Sequence, residues 1–75
     1  MTLSKFLNNA KDYDGNSITV ICGEKKIHGL FSFPMSGKIS NCFELKYVTV
    51  YNGFYSDDYD QLTVFCSDID SIIIE

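Results

Sequence analysis

Two β-rich stretches bracket a less regular middle, and they constrain what this chain can fold into. Residues 15–33 read GNSITVICGEKKIHGLFSF and residues 62–75 read LTVFCSDIDSIIIE. In the first, Ile18, Val20 and Cys22 alternate with Thr19 and Ile21, the period-two pattern of a strand over 17–22. Gly23-Glu24 makes a tight turn, and a second strand over 25–33 puts Ile27, Gly29, Phe31 and Phe33 on one side. Lys26, His28, Leu30 and Ser32 take the other. A glycine inside a strand marks a sharp bend or a close backbone approach. In the second stretch, strands over 61–66 and 69–74 flank the short turn Ser67-Asp68.

Between them, Pro34 ends the second strand and PMSGKISN forms a loop. CFELKYVTVY gives a third strand over 42–51. Asn52-Gly53 suits a type I′ turn, while the acidic run over 56–60 predicts a longer excursion before the next strand. Ahead of the strands, Leu3, Phe6, Leu7, Ala10 and Tyr13 recur at spacings of three and four, which predicts an amphipathic helix over 3–13. Thr2 or Ser4 can cap it, Lys11 suits the negative end of its dipole, and Asp14-Gly15-Asn16 stops it. One such helix cannot bury its face alone, so it is expected to lie on the sheet.

The length of 75 residues implies one domain, 1–75. A chain this short buries only about 60% of its unfolded surface. Yet 45% of its residues are hydrophobic, with five Tyr and six Phe, a surplus that predicts burial against other copies. The formal charge is −4, and all six positive side chains are lysines. Lysine lacks the planar fork that reads phosphate and guanine bidentately. Cys22, Cys42 and Cys66 fall one per predicted strand, odd in number and without metal-ligand spacing. They read as small buried residues in a reducing cytoplasm, that of a host if the protein is viral. No stretch approaches the roughly 20 apolar residues of a membrane span, and no secretory signal is recognisable.

Gly15, Ile18, Val20, Ile27, Gly29 and Phe31, followed by Ile69 and Ile72 after a short polar turn, resemble the two motifs of the Sm-like (LSm- and Hfq-type) family. The resemblance spans almost the whole chain. It implies a mainly β fold: a short N-terminal helix followed by a five-stranded, strongly bent, SH3-like open barrel. It also implies a homo-oligomeric ring of about five to seven copies, in which strand four of one copy pairs with strand five of the next. Leu62, Val64, Cys66, Ile69, Ile72, Ile73 and Ile74 would form that interface. Long apolar edges favour such pairing, and the run Ile72-Ile73-Ile74 is apolar on both strand faces. The family's usual ligand is single-stranded RNA. Its usual Asp is missing from Phe33-Pro34-Met35-Ser36, and Phe65-Cys66 replaces its basic residue and glycine. Asn41 stands for the family's Asn, Phe33 and Phe65 offer rings on which a base can stack, and Lys38 is a nearby positive charge.

Other constellations are thin. His28 is the sole histidine, with no nucleophile beside it in sequence, so no catalytic role is expected. Asp12-Tyr13-Asp14-Gly15 lacks the remaining ligands of a calcium loop; no metal and no cofactor are expected. Asp57, Asp58 and Asp60, with Tyr55 and Tyr59, read as a solvated loop that would repel nucleic acid and attract a basic partner. Lys25 and Lys26 point to opposite faces of a strand, so no continuous basic groove forms. The expected function is a non-enzymatic Sm-like ring with a divergent RNA site. The alternative is a structural or protein-interaction ring without RNA binding, such as a viral accessory protein.

Overall fold

A computed structural model describes residues 1–75 and has the expected mainly β architecture. Helix α1 (Leu3–Asn8) and a 3-10 turn (Ala10–Tyr13) precede β1 (Ser17–Cys22), β2 (Lys25–Phe31), β3 (Cys42–Asn52) and β4 (Tyr55–Phe65). A second 3-10 turn (Cys66–Asp68) leads into β5 (Ser71–Ile74). All pairings are antiparallel, in the order β4-β3-β2-β1-β5. The strands wrap one core, with β4 and β5 as the two unjoined edges of an open barrel.

The apolar spacing of residues 3–13 does position the N-terminal segment on the core, but the regular helix is shorter than expected. Thr2 Oγ1 accepts the Lys5 N–H at 3.2 Å, capping the start. At Asn9 the chain leaves helical geometry (φ −123°). The Asn9 Nδ2 group donates to the Lys5 carbonyl at 2.9 Å, an acceptor the helix would otherwise use. The segment continues as a 3-10 turn. Phe6 is fully buried and meets Phe31 edge-on at 5.1 Å, Phe43 at 5.5 Å and Tyr13 in a stack at 5.7 Å. This aromatic group sits in the core, the Phe31 contact edge-to-face and the Tyr13 contact stacked as ring quadrupoles favour, and the Phe43 contact tilted.

The bend lies where Gly29 faces β3. Pairing of β2 with β3 shifts by one residue between His28 and Leu30, so Tyr47 and Val48 together oppose the glycine. Tyr47 takes a left-handed φ of +54°, the one non-glycine residue to do so. A Cβ on Gly29 would come within 3.1 Å of the Lys46 carbonyl oxygen, Leu45 Cβ and Val48 Cγ2. The backbones can approach this closely only without a side chain, and the bulge sharpens the local twist.

Strand boundaries depart from expectation by two residues or more at three places. β2 stops at Phe31, not residue 33, because the Phe33 N–H donates to Asp14 Oδ1 at 2.8 Å instead of to a ladder partner. β4 begins at Tyr55, not residue 61, and a two-residue connection, Gly53 (φ +66°) and Phe54, replaces the predicted excursion. The acidic residues are strand residues paired with β3: Asp58 accepts from Thr49 Oγ1 at 2.8 Å. Finally β5 begins at Ser71, not residue 69, because residues 66–68 close a 3-10 turn through the Ile69 N–H to the Cys66 carbonyl at 3.1 Å.

Candidate functional site

The residues expected to hold RNA are not gathered into one pocket. Phe33 packs partly on the core and borders a groove with Met35, Cys42, Glu44, Lys46 and Thr63. Phe65 lines a different concavity, with Cys22, Lys25, Ile27 and Asp68. Asn41 and Lys38 are exposed in the loop before β3. The Asn41 carbonyl accepts the Cys66 N–H at 2.8 Å, tying that loop to the end of β4. Nothing here clamps a base between two rings.

The residues expected to form a ring interface mostly spend their apolar surface within the chain. Val64, Ile69 and Ile72 are buried core residues, and Leu62, Cys66 and Ile74 pack against that core. Ile73 alone among them is exposed. The outer edge of β5 is also partly occupied. The Ile72 N–H donates to the Met1 carbonyl at 2.8 Å, and the Met1 amino group donates back to the Ile72 carbonyl. The backbone groups a neighbouring strand would need at that position are already paired.

Register assembles one side-chain cluster that the sequence concealed. Thr19 on β1 lies opposite His28 on β2, and Glu75 follows β5 alongside. Thr19 Oγ1 donates to Glu75 Oε1 at 2.5 Å and lies 3.1 Å from His28 Nδ1; His28 Nδ1 is 3.4 Å from Glu75 Oε1. With its proton on the Glu75 bond, Thr19 Oγ1 is the acceptor for His28 Nδ1–H. Thr19 is buried, and its hydroxyl, engaged by both neighbours, links β1, β2 and the residue that follows β5.

The three cysteines are half-buried, less enclosed than expected. Burial pushes the Cys22 thiol up, reinforced by the Asp68 and Asp70 carboxylates against the opposing pull of Lys25. Burial likewise raises Cys66, with the neighbouring Cys42 acting in the same direction. Cys42 and Cys66 are distant in sequence, and the pairing of β3 with β4 brings them together.

An exposed surface runs along the distal β3–β4 hairpin. Antiparallel partners share a sheet face, so Val48 and Tyr59, Val50 and Asp57, and Asn52 and Tyr55 lie on one side. Val48 is buried, whereas Tyr59 is 45% and Tyr55 79% exposed. The core face therefore runs out into solvent as two tyrosines with an aspartate between them. Asp58 shares the other face with Thr49. Phe54 at the tip and Tyr47 at the bulge are also exposed. The only ion pair in the chain joins His28 to Glu75, so Asp57, Asp58 and Asp60 have no cationic partner. Sequence reading noticed these residues but took them for a loop; the alternation of Tyr55, Asp57 and Tyr59 was the strand signal within the charge run.

No protein-family model and no curated protein matches the chain. Among solved structures, it is similar to a chain in the crystal structure of the NatC complex bound to CoA, with a TM-score of 0.70 and 18% identity over 88% of this chain and 83% of that one. It is also similar to a chain of the NatC complex bound to Gag peptide and CoA, with a TM-score of 0.71 and 18% identity over 88% and 90%. At this identity the likeness establishes the fold. These neighbours overturn the functional expectation: the fold leads to chains of a CoA-bound complex, not to an Sm-like or LSm RNA-binding ring. No helix is long and apolar enough to cross a membrane.

Proposed function

We propose that this chain is a non-catalytic docking subunit, a small β module that acts as one component of a larger hetero-complex in the cytoplasm. The observation that carries this reading is the span of the structural likeness. It covers 88% of this chain and 83–90% of chains that are themselves parts of a complex, so the resemblance is to a whole small component and not to a fragment of a large one. The surface supports the same reading. Exposed aromatic side chains cluster on the β3–β4 hairpin, which is what an interface leaves uncovered when its partner is absent. One edge strand, β4, is open, while β5 is partly closed by Met1. A head-to-tail homo-oligomer needs both edges, whereas docking onto a different protein needs one. The buried, already bonded Thr19 and the scatter of the remaining polar groups support a binding role over turnover.

Native mass tests this. The isolated protein is expected to elute as an 8.5 kDa monomer, and the tagged protein in its own cells to migrate in a much larger species at fixed stoichiometry with one other polypeptide. A discrete closed oligomer of the isolated chain, with no larger partner in cells, overturns the proposal.

A further inference from the structure

The docking-subunit reading leaves open what the exposed β4 edge receives, and its geometry points to one class of partner. We infer that the distal half of β4, residues 55–61, receives an extended, arginine- or lysine-rich segment of a partner protein, with a cationic side chain seated between Tyr55 and Tyr59 over Asp57. This inference rests on the docking-subunit reading and names the chemistry of its partner.

Three features combine. β4 is the last strand in the sheet order, and residues 55–61 are exposed, so this stretch of edge offers unpaired backbone groups to an added strand. Successive side chains on one face of a strand lie roughly 7 Å apart. Tyr55 and Tyr59 therefore flank Asp57 at a spacing that lets a guanidinium or ammonium group reach the carboxylate while remaining within about 6 Å of a ring. Charge then selects among occupants. Asp57, Asp58 and Asp60 have no cationic partner, and the chain as a whole is at −4. An added strand presents side chains to both faces with period two, so alternating basic residues meet Asp57 on one face or Asp58 on the other. A nucleic acid brings the wrong sign, and a second copy of this hairpin would set aspartates against aspartates.

The thermodynamic consequence is specific. The tyrosine faces contribute apolar area and ring quadrupoles that survive salt, while the aspartates contribute attraction that salt screens. Binding should therefore weaken with ionic strength without vanishing. Lysine and arginine should differ, with arginine favoured because its planar group stacks on a ring while it bonds a carboxylate.

The test uses the full chain and a synthetic nonapeptide alternating arginine with threonine, titrated while backbone amide resonances are followed. Saturable shifts confined to the β3–β4 hairpin are expected. Asp57→Asn and Tyr59→Ser should each weaken binding about tenfold or more, with a melting curve for Asp57→Asn close to that of the parent because Asp57 is exposed. Should Tyr59→Ser unfold the chain, Asp57→Lys decides alone, since reversing that charge is expected to abolish binding. A glutamate–threonine nonapeptide that binds as well, shifts centred outside the hairpin, or unchanged affinity in the variants each overturn the inference. So does a uridine-rich RNA that produces the same shifts, or a concentration-dependent rise in native mass that the hairpin variants remove. If peptide binding fails while the cellular complex persists, the basic-segment inference is lost and the docking-subunit reading stands; loss of the complex itself removes both.

Discussion

Tyr47 carries a cost that its neighbours impose. A non-glycine residue with φ near +54° is disfavoured because Cβ crowds the following carbonyl. Tyr47 accepts that conformation where the β2–β3 pairing slips by one residue opposite Gly29. Tyr47 is 76% exposed, so little packing compensates. Tyr47→Gly is therefore expected to stabilise the protein by about 0.5–1 kcal/mol, the relief of left-handed strain less the added freedom of the unfolded glycine. Chemical denaturation reads this as a higher midpoint at unchanged slope; a lower midpoint would mean that contacts of the ring hold the bulge. The thiols give a second residue-level expectation. Cys22 and Cys66 ionise later in the fold than in the open chain, for which the ordinary value is 9.0. Their neutral forms thus favour the fold fully below pH 9.0, and that contribution is lost as pH rises through the raised folded values. At pH 8 their alkylation should be slower than that of a free peptide thiol and should keep accelerating above pH 9; rates equal to the free thiol would contradict the burial. Gly29 was legible in the sequence as a bend, because a glycine amid alternating apolar residues has few other uses. Tyr47 was not, since nothing in the residue type announces a left-handed backbone. The Thr19–His28–Glu75 cluster was equally hidden, because it exists only once the β1–β2 and β1–β5 registers are set.

At the scale of elements, the first hairpin and the helical face were readable because burial there follows a simple period. Ile18 and Val20 face the core on β1, as do Ile27 and Phe31 on β2. Phe6 and Ala10 do so from the helical segment. The distal half of β4 was misread because residues 55–61 are exposed, and a strand with no buried face shows no apolar alternation. Likewise Ile72-Ile73-Ile74 looked like a strand covered on both sides, yet Ile72 fills the core and Ile73 is exposed. This difference predicts a stability gradient along β3 and β4. The distal amides of β4, residues 55–61, lie on an exposed edge strand paired on one side only and should exchange with solvent much faster than those of Ile18, Val20 and Ile27. Hydrogen exchange of the isolated protein measures this directly. Uniform protection along both strands would show that this edge is covered, against the exposure seen for residues 55–61. In the presence of a bound basic segment the same amides should become the ones most slowed.

For the whole molecule, what separates a monomeric module from a self-associating one is the state of its two edges. β4 ends the sheet on one side and β5 on the other, and open edges of this kind recruit further strands unless something blocks them. Here the block on β5 is a single residue: Met1 exchanges backbone hydrogen bonds with Ile72, while Thr2 caps the helix that follows. The N-terminus thus does two jobs within two residues, covering an edge and starting a helix whose Phe6 sits in the core. A chain beginning at Leu3, released from a cleavable fusion, should lose both. Loss of the Thr2 cap costs about 1 kcal/mol, which lowers the melting temperature without abolishing the fold, since Phe6 and its ring partners remain. Exposure of the Ile72 backbone groups makes β5 an acceptor for β4 of another copy. The truncated protein is therefore expected to show a concentration-dependent increase in mass by light scattering, while the full chain stays at 8.5 kDa. The two effects separate experimentally. Thr2→Ala removes the cap but keeps the Met1 bonds, so it should reproduce the lower melting temperature and remain monomeric. If Thr2→Ala associates as strongly as the truncation, fraying of the helix is what drives association; if neither associates, Met1 is not what keeps β5 from pairing.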